Sequence, residues 1–180
     1  MAKTKWDDLP ELKTSSMLLA PTIPEHYQKL SQYFDPKLDK ILDVGHGNGT
    51  FAEYVIGATG VDENSDLISY DLSGYNTLHF SESVGYLSPE IIERLISAPS
   101  IKKIVFKDLM CDEKFTVEYF SYDFTTLKKI VLPLLAKYGY NYTITEFIPF
   151  RDRWKAILKK YNLVYTSYPK ITNVVLVATR

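Results

Sequence analysis

A single cysteine, Cys111, stands in the whole chain, so no intrachain disulfide can form and no thiolate-rich metal cluster can be built. That usage fits a reducing compartment, and a cytoplasmic protein is expected. Histidine is nearly as scarce: the three present are widely separated and follow no zinc spacing, so no metal site is expected. No window is apolar over the roughly 20 residues that a bilayer span requires. The opening MAKTKWDDLPELKTSS has no apolar h-region, so neither a membrane segment nor a secretory signal is expected. An excess of charge is missing as well. The 21 Lys and Arg against 22 Asp and Glu leave a net charge of −1, which argues against a broad electrostatic footprint for nucleic acid or an anionic membrane. No internal repeat or low-complexity run breaks the chain.

What is present suffices for one domain. With 180 residues, 46% of them hydrophobic, the chain can bury one sizeable core and is too short for two ordinary domains. Residues 1–16 are polar and charged, with Pro10 against any helix, and read as a flexible N-terminal arm ahead of a single domain over 17–180. Pro24 suits the first turn of a helix whose Tyr27, Leu30, Tyr33 and Phe34 recur at helical spacing.

The most telling stretch is ILDVGHGNGT, residues 41–50. Ile41, Leu42 and Val44 carry strand character, and Gly45, Gly47 and Gly49 permit a tight turn that a ligand can approach closely, before a helix from Thr50. A glycine loop between strand and helix holds a nucleotide-like ligand at the carboxyl edge of a parallel sheet. The spacing is not the G-x-G-x-x-G of dinucleotide sites, and Asp43 precedes the first glycine. A carboxylate there would repel a pyrophosphate and suits an amine or another cationic centre.

LDVGHGNG resembles the first motif, D/E-x-G-x-G-x-G, of the class I S-adenosylmethionine-dependent methyltransferases. The resemblance extends over about residues 26–180 and implies an α/β, Rossmann-like fold: a mostly parallel central sheet with an antiparallel C-terminal edge hairpin. It also implies S-adenosylmethionine as cofactor, with Asp43 orienting its methionyl amine and Gly45, Gly47 and Gly49 admitting it. GVDEN resembles the second motif, whose acid accepts from the ribose hydroxyls; that role falls to Asp62, with Glu63 behind it. Only 13 residues separate Gly49 from Asp62, against roughly 20 in nucleotide-binding folds, so the intervening helix must be short. Leu67 to Leu72 would then be a stunted third strand, with Asp71 reading the adenine amino group.

TLHFSESVGYL resembles the fourth motif, where a strand ends facing the cofactor methyl and the substrate. Ser81 is expected beside the cofactor and Glu82 as general base, with His26 and Tyr86 behind it. Many small-molecule methyltransferases carry Glu-x-x-Glu-His here; this chain has Glu82, Gly85 and Tyr86, and so lacks the hard-metal ligands of a magnesium-dependent reaction. Ser88 and Pro89 fit the cap and first position of a helix over SPEIIERLISAP. IKKIVFKDL reads as a strand covered on both faces.

Downstream, a helix is expected from Thr125 to Tyr138, bent by or starting near Pro133 and capped by Gly139. Two strands, NYTITEFIP and ITNVVLVATR, close the chain. Between them Trp154, Ile157, Leu158 and Tyr161 recur at helical spacing, an insertion placed to act as a lid, whose basic residues Arg151, Arg153, Lys155, Lys159 and Lys160 equally suit a solvated face.

The resemblance implies a methyltransferase acting on an oxygen or nitrogen of a small molecule. Two alternatives stay open. In ribose 2′-O-methyltransferases a Lys-Asp-Lys-Glu tetrad acts, and Lys107 with Glu146 loosely matches two of its members; Glu82 stands where it has Asp, and no upstream lysine is assigned, Lys29 being only a guess. The shortened region from 51 to 80 instead suits a non-catalytic module, or a pocket that a second copy of the chain completes in a homo-oligomer. Signatures of DNA base methylation are absent, and Cys111 follows the wrong strand for a covalent nucleophile.

Overall fold

Ile41–Val44 (β1) is buried at every residue, which places it in the middle of a sheet covered on both faces. The computed structural model describes residues 29–46, 51, 55, 57–62, 66–111, 123–146 and 172–180. The expected N-terminal arm, His26 and Tyr27, Gly47 and Gly49, Glu63 and the insertion between the last two strands lie outside them. The remaining strands are Ala58–Val61 (β2), Thr77–Ser81 (β3), Lys103–Met110 (β4), Asn141–Glu146 (β5) and Thr172–Thr179 (β6). They form one sheet of order β2-β1-β3-β4-β6-β5. Strands β2, β1, β3 and β4 run parallel, and β6 then pairs antiparallel with both β4 and β5. This is the expected mostly parallel sheet with its antiparallel edge hairpin.

Alternation along the strands sorts the side chains into two cores. Leu42, Val44, Leu78, Phe80, Ile104, Phe106 and Leu176 face one cluster, which the helix Pro89–Ser97 (α1) covers with Ile92, Leu95 and Ile96. Ile41, Val105 and Val175 face the other, under Leu30, Phe34, Phe51 and Val55. Residues 29–31 are helical and lie within the stretch expected as a helix after Pro24, whose earlier residues are outside those described.

Helix α1 starts as its sequence dictates: Ser88 Oγ accepts from the Ile91 N–H, Pro89 stands in the first turn and Glu90 meets the positive end of the dipole. The helix expected from Thr125 to Tyr138 divides in two. A π-helical turn, Leu127–Val131, precedes Leu132–Lys137 (α2). Pro133 has no N–H to give and its ring would strike the carbonyl four residues back. The wider turn, in which the Leu132 N–H reaches Leu127 O, accommodates it at the start of α2. The C-terminus of α2 is a Schellman closure: Gly139 has φ +74°, its N–H donates to Ala136 O, and the Tyr140 N–H donates to Leu135 O.

Tyr140 follows this turn into the core, 5% exposed, with its hydroxyl 3.1 Å from both Ile96 O and Ile101 O. Burial pushes its phenol above the ordinary 10.0, with the Arg180 charge opposing. A phenol raised in the folded state contributes its full stability below its unfolded value and loses it as pH climbs through the folded one. Tyr140→Phe is therefore expected to cost about 1 kcal/mol at neutral pH. It should also remove one component of the stability loss seen by urea titration as pH rises above the phenol's ordinary 10.0.

One expected element is corrected. Leu67 to Leu72 is not a strand: residues 67–69 form a turn, and no strand pairs with the outer edge of β2 among the described residues. Asp66 decides this, accepting from the Ile68 and Ser69 N–H groups and the Ser69 hydroxyl. Local side-chain to backbone bonds of this kind compete directly with a sheet ladder. Leu67 and Leu72 still reach the core, while Ile68 is 64% exposed.

Candidate active site

The strand order reverses at β1, with β2 on one side of it and β3 on the other, so the crevice beyond their carboxyl ends is the place where an open α/β sheet binds ligand. At the end of β1, Gly45 has φ +76° and its N–H donates to Val61 O at 2.7 Å. Ser83, beyond β3, crosses over this turn and donates its hydroxyl to Val44 O at 2.6 Å. A Cβ on Gly45 would lie 2.5 Å from Ser83 Cβ, so the glycine is what lets the two strand ends meet. His46 folds over Gly60, where a Cβ would lie 2.6 Å from its ring. Asp62 follows Val61 directly and is partly buried, which brings it to the same edge as Gly45.

Asp43 lies 2% exposed in β1, opposite His79 of β3, and its Oδ1 is 2.7 Å from His79 Nδ1. His79 is wholly buried, its ring stacked on Phe51 at 3.8 Å and edge-on to Phe34. Its Nε2 has no partner among the described residues. Sequence reasoning passed over this residue. The one available signal was a polar ring inside the otherwise apolar run of TLHFS.

Beyond β3 the backbone of Glu82 adopts φ +52°, which costs a non-glycine residue about 1–3 kcal/mol and is found where surrounding bonds impose it. Here the Glu82 N–H donates to Lys107 O at 2.8 Å and the Lys107 ammonium donates to Glu82 Oε1. Lys107 is 2% exposed, whereas the Glu82 side chain is 30% exposed. The buried lysine thus holds a carboxylate that still reaches the crevice. Ser81 pairs in register with Lys107, and Tyr86 lies half-buried in the 3-10 turn Val84–Tyr86 that follows.

Two expected members fall elsewhere. Asp71 lies beside Leu72, whose carbonyl accepts from Ser100, and a few residues before Asn76, whose N–H reaches Lys40 O. These are the amino ends of β3, β4 and β1, so Asp71 is across the sheet from the crevice and does not read adenine there. Its carboxyl closes its own turn, and the Ser73 N–H and hydroxyl hold it below the ordinary carboxylate value. Glu146 pairs with Val174, which faces the α1 side, whereas Lys107 pairs with Val175 on the opposite face. The sheet therefore separates the Lys107 and Glu146 of the loosely matched tetrad.

The geometry gathers a buried carboxylate, a glycine turn and a lysine-held carboxylate at one edge of the sheet. Among the described residues no group of His, Cys, Asp or Glu is arranged to hold a metal ion, and no helix is long and apolar enough to cross a membrane.

No protein-family profile and no curated protein sequence matches the chain. Solved structures share its fold. The plantazolicin methyltransferase BpumL, in complex with S-adenosylhomocysteine, superposes with TM-score 0.58 at 17% identity, over 98% of this chain and 92% of that one. The cyclase SpnF matches with TM-score 0.58 at 14% identity, over 87% and 81%. Phosphoethanolamine N-methyltransferase 2 of Haemonchus contortus, with S-adenosylmethionine, matches with TM-score 0.55 at 12% identity over 79% of this chain. The chain spans only 48% of that enzyme's length. The fold is that of the class I S-adenosylmethionine-dependent methyltransferases.

Proposed function

We propose that the protein is an S-adenosylmethionine-dependent methyltransferase that methylates an oxygen or nitrogen of a small molecule by direct in-line transfer. The observation that carries this reading is the gathering of Asp43, Gly45 and Asp62 at the carboxyl edge of β1 and β2, beside Glu82, just beyond β3, and the Lys107 of β4 that holds it. The donor set fits the cofactor. The Gly45 turn, packed under Ser83 where a Cβ would stand, brings the ends of β1 and β3 together; Asp43 is an acceptor for a methionyl ammonium, and Asp62 is an acceptor for ribose hydroxyls. When bound, that cofactor supplies a methyl group already activated on a sulfonium.

The chain's own residues then supply orientation and one proton acceptor. Glu82 takes the proton from the attacking hydroxyl or amine, and Lys107 holds its carboxylate in place. Ser81 lines the crevice beside them, with His26 and Tyr86 as further candidates to touch the acceptor. Glu82→Gln keeps the side-chain shape and the acceptor oxygen for Lys107 but loses the base. It is expected to bind cofactor within about twofold of wild type, while transfer to any acceptor the wild type methylates falls by about 10² to 10⁴.

A second reading, a methyltransferase-like module without catalysis, is favoured by the absence, among the described residues, of a strand on the outer edge of β2 and by Asp71 lying away from the crevice. Isothermal titration with S-adenosylmethionine and S-adenosylhomocysteine separates the two. Micromolar affinity for both is expected, and absence of binding by the wild type would replace the enzyme with the module.

A further inference from the structure

Resting on that reading of the cofactor site, we infer that His79 is a positioning residue for the cofactor amine: it fixes the buried Asp43 carboxylate through Nδ1, so that the second oxygen is presented to the methionyl ammonium. The pair sits among Leu30, Phe34, Ile41, Phe51, Val55, Val105 and Val175. In such surroundings two apolar side chains of equal volume would be at least as stable, because a buried polar pair must first repay its desolvation. Stability alone therefore does not account for it.

The hydrogen-bond inventory fixes how the pair is arranged. An ionised Asp43 can only accept, so the proton on Nδ1 belongs to His79 and points at Oδ1, 2.7 Å away. Nε2 is buried without a partner among the described residues. A second proton there would strand an N–H donor on a cation inside an apolar cluster, whereas a bare lone pair costs far less. The pair so arranged carries a net charge of −1, next to the turn that receives the ligand. An ammonium group completes it. Phe51 adds a mechanical link: it comes from the segment just after the glycine motif and stacks on the His79 ring, so the orientation of the ring and the seating of that segment are set together.

Two substitutions separate the hydrogen bond from the ring. His79→Phe keeps the stack on Phe51 and removes the donor; His79→Asn removes the ring and keeps an N–H near the place of Nδ1. Each is titrated with S-adenosylhomocysteine and with 5′-methylthioadenosine, which retains adenine, ribose and thioether but has no amino-acid portion. His79→Phe is expected to weaken S-adenosylhomocysteine about 10- to 100-fold, with methylthioadenosine changed by less than about twofold. His79→Asn is expected to keep the wild-type ratio of the two affinities even if it melts at a lower temperature. Equal weakening of both ligands by His79→Phe, or wild-type binding of S-adenosylhomocysteine by it, would overturn the inference. Should that variant not fold, a ratio that collapses in His79→Asn would overturn it as well. If the wild type binds methylthioadenosine but gains nothing from the amino-acid portion, the role of the pair is refuted while the nucleoside site stands. Binding of neither ligand by the wild type refutes the cofactor reading itself, and this inference with it.

Discussion

Asp43→Ala is expected to abolish measurable binding of S-adenosylmethionine, a loss of at least about 100-fold by titration. The reason is the position of the charge rather than its number. Asp43 is 2% exposed, and an ammonium that meets a carboxylate in such a site is screened far less by water and salt than one at the surface. The alanine variant also leaves the His79 Nδ1–H without an acceptor in the core, which should lower unfolding stability by about 1–3 kcal/mol. Lost stability and lost recognition must therefore be separated. Asp43→Asn does so, since its carbonyl oxygen can still accept from His79 while the charge is gone. It is expected to melt close to wild type and to bind cofactor as poorly as the alanine variant. Asp71→Ala serves as the contrast: its carboxyl caps an exposed turn at the amino edge of the sheet, and cofactor affinity should stay within about twofold. A binding loss in Asp71→Ala together with an unaffected Asp43→Asn would place the ligand somewhere other than the crevice between β1 and β3.

The parts of the fold legible in the sequence are those specified by neighbours in the chain. The apolar run ending at Asp43 and Gly45 made β1 and its turn, Ser88 and Pro89 fixed the start of α1, and Gly139 fixed the end of α2. Where two local signals conflicted, composition was the weaker. Leu67, Ile68 and Leu72 suggest a strand, yet Asp66 and Asp71 each tie down the backbone within three residues, and the segment turns. Pro133 announced a disturbance without showing its form, because a π-turn depends on which carbonyl the preceding turn leaves free.

The candidate site was less legible, because its decisive contacts join residues far apart in sequence. Asp43 and His79 are 36 positions apart and meet only through the register of β1 with β3. Glu82 and Lys107 are both conspicuous in the sequence. That they act on each other follows only from the register of β3 with β4, which sets Ser81 opposite Lys107 and so brings Glu82 beside it. The same parity argument removes Glu146: one residue earlier in β5 would have put its side chain on the Lys107 face.

Gly45→Ala is expected to lower stability by about 2–6 kcal/mol and to abolish cofactor binding, the two effects having one cause. A residue with a Cβ at φ +76° is strained wherever it sits, and here the Cβ would also lie 2.5 Å from Ser83 Cβ and 3.1 Å from Ser83 Oγ. Relief requires moving the end of β3 away from β1. That movement breaks the Ser83 hydroxyl bond to Val44 O, disturbs the Gly45 N–H bond to Val61 O, and opens the crevice whose walls these bonds define. The backbone and steric parts can be read separately by thermal or urea unfolding. Gly139 has almost the same φ, +74°, with nothing within 4 Å of its Cβ position, so Gly139→Ala measures the backbone cost alone, about 1 kcal/mol. Ser83→Gly introduced beside Gly45→Ala removes the opposing Cβ and should recover the steric part, leaving the backbone cost and the lost hydroxyl bond. If Gly45→Ala cost no more than Gly139→Ala, the two strand ends would not be locked together as described. The crevice would then have to be held in shape by residues beyond β1 and β3.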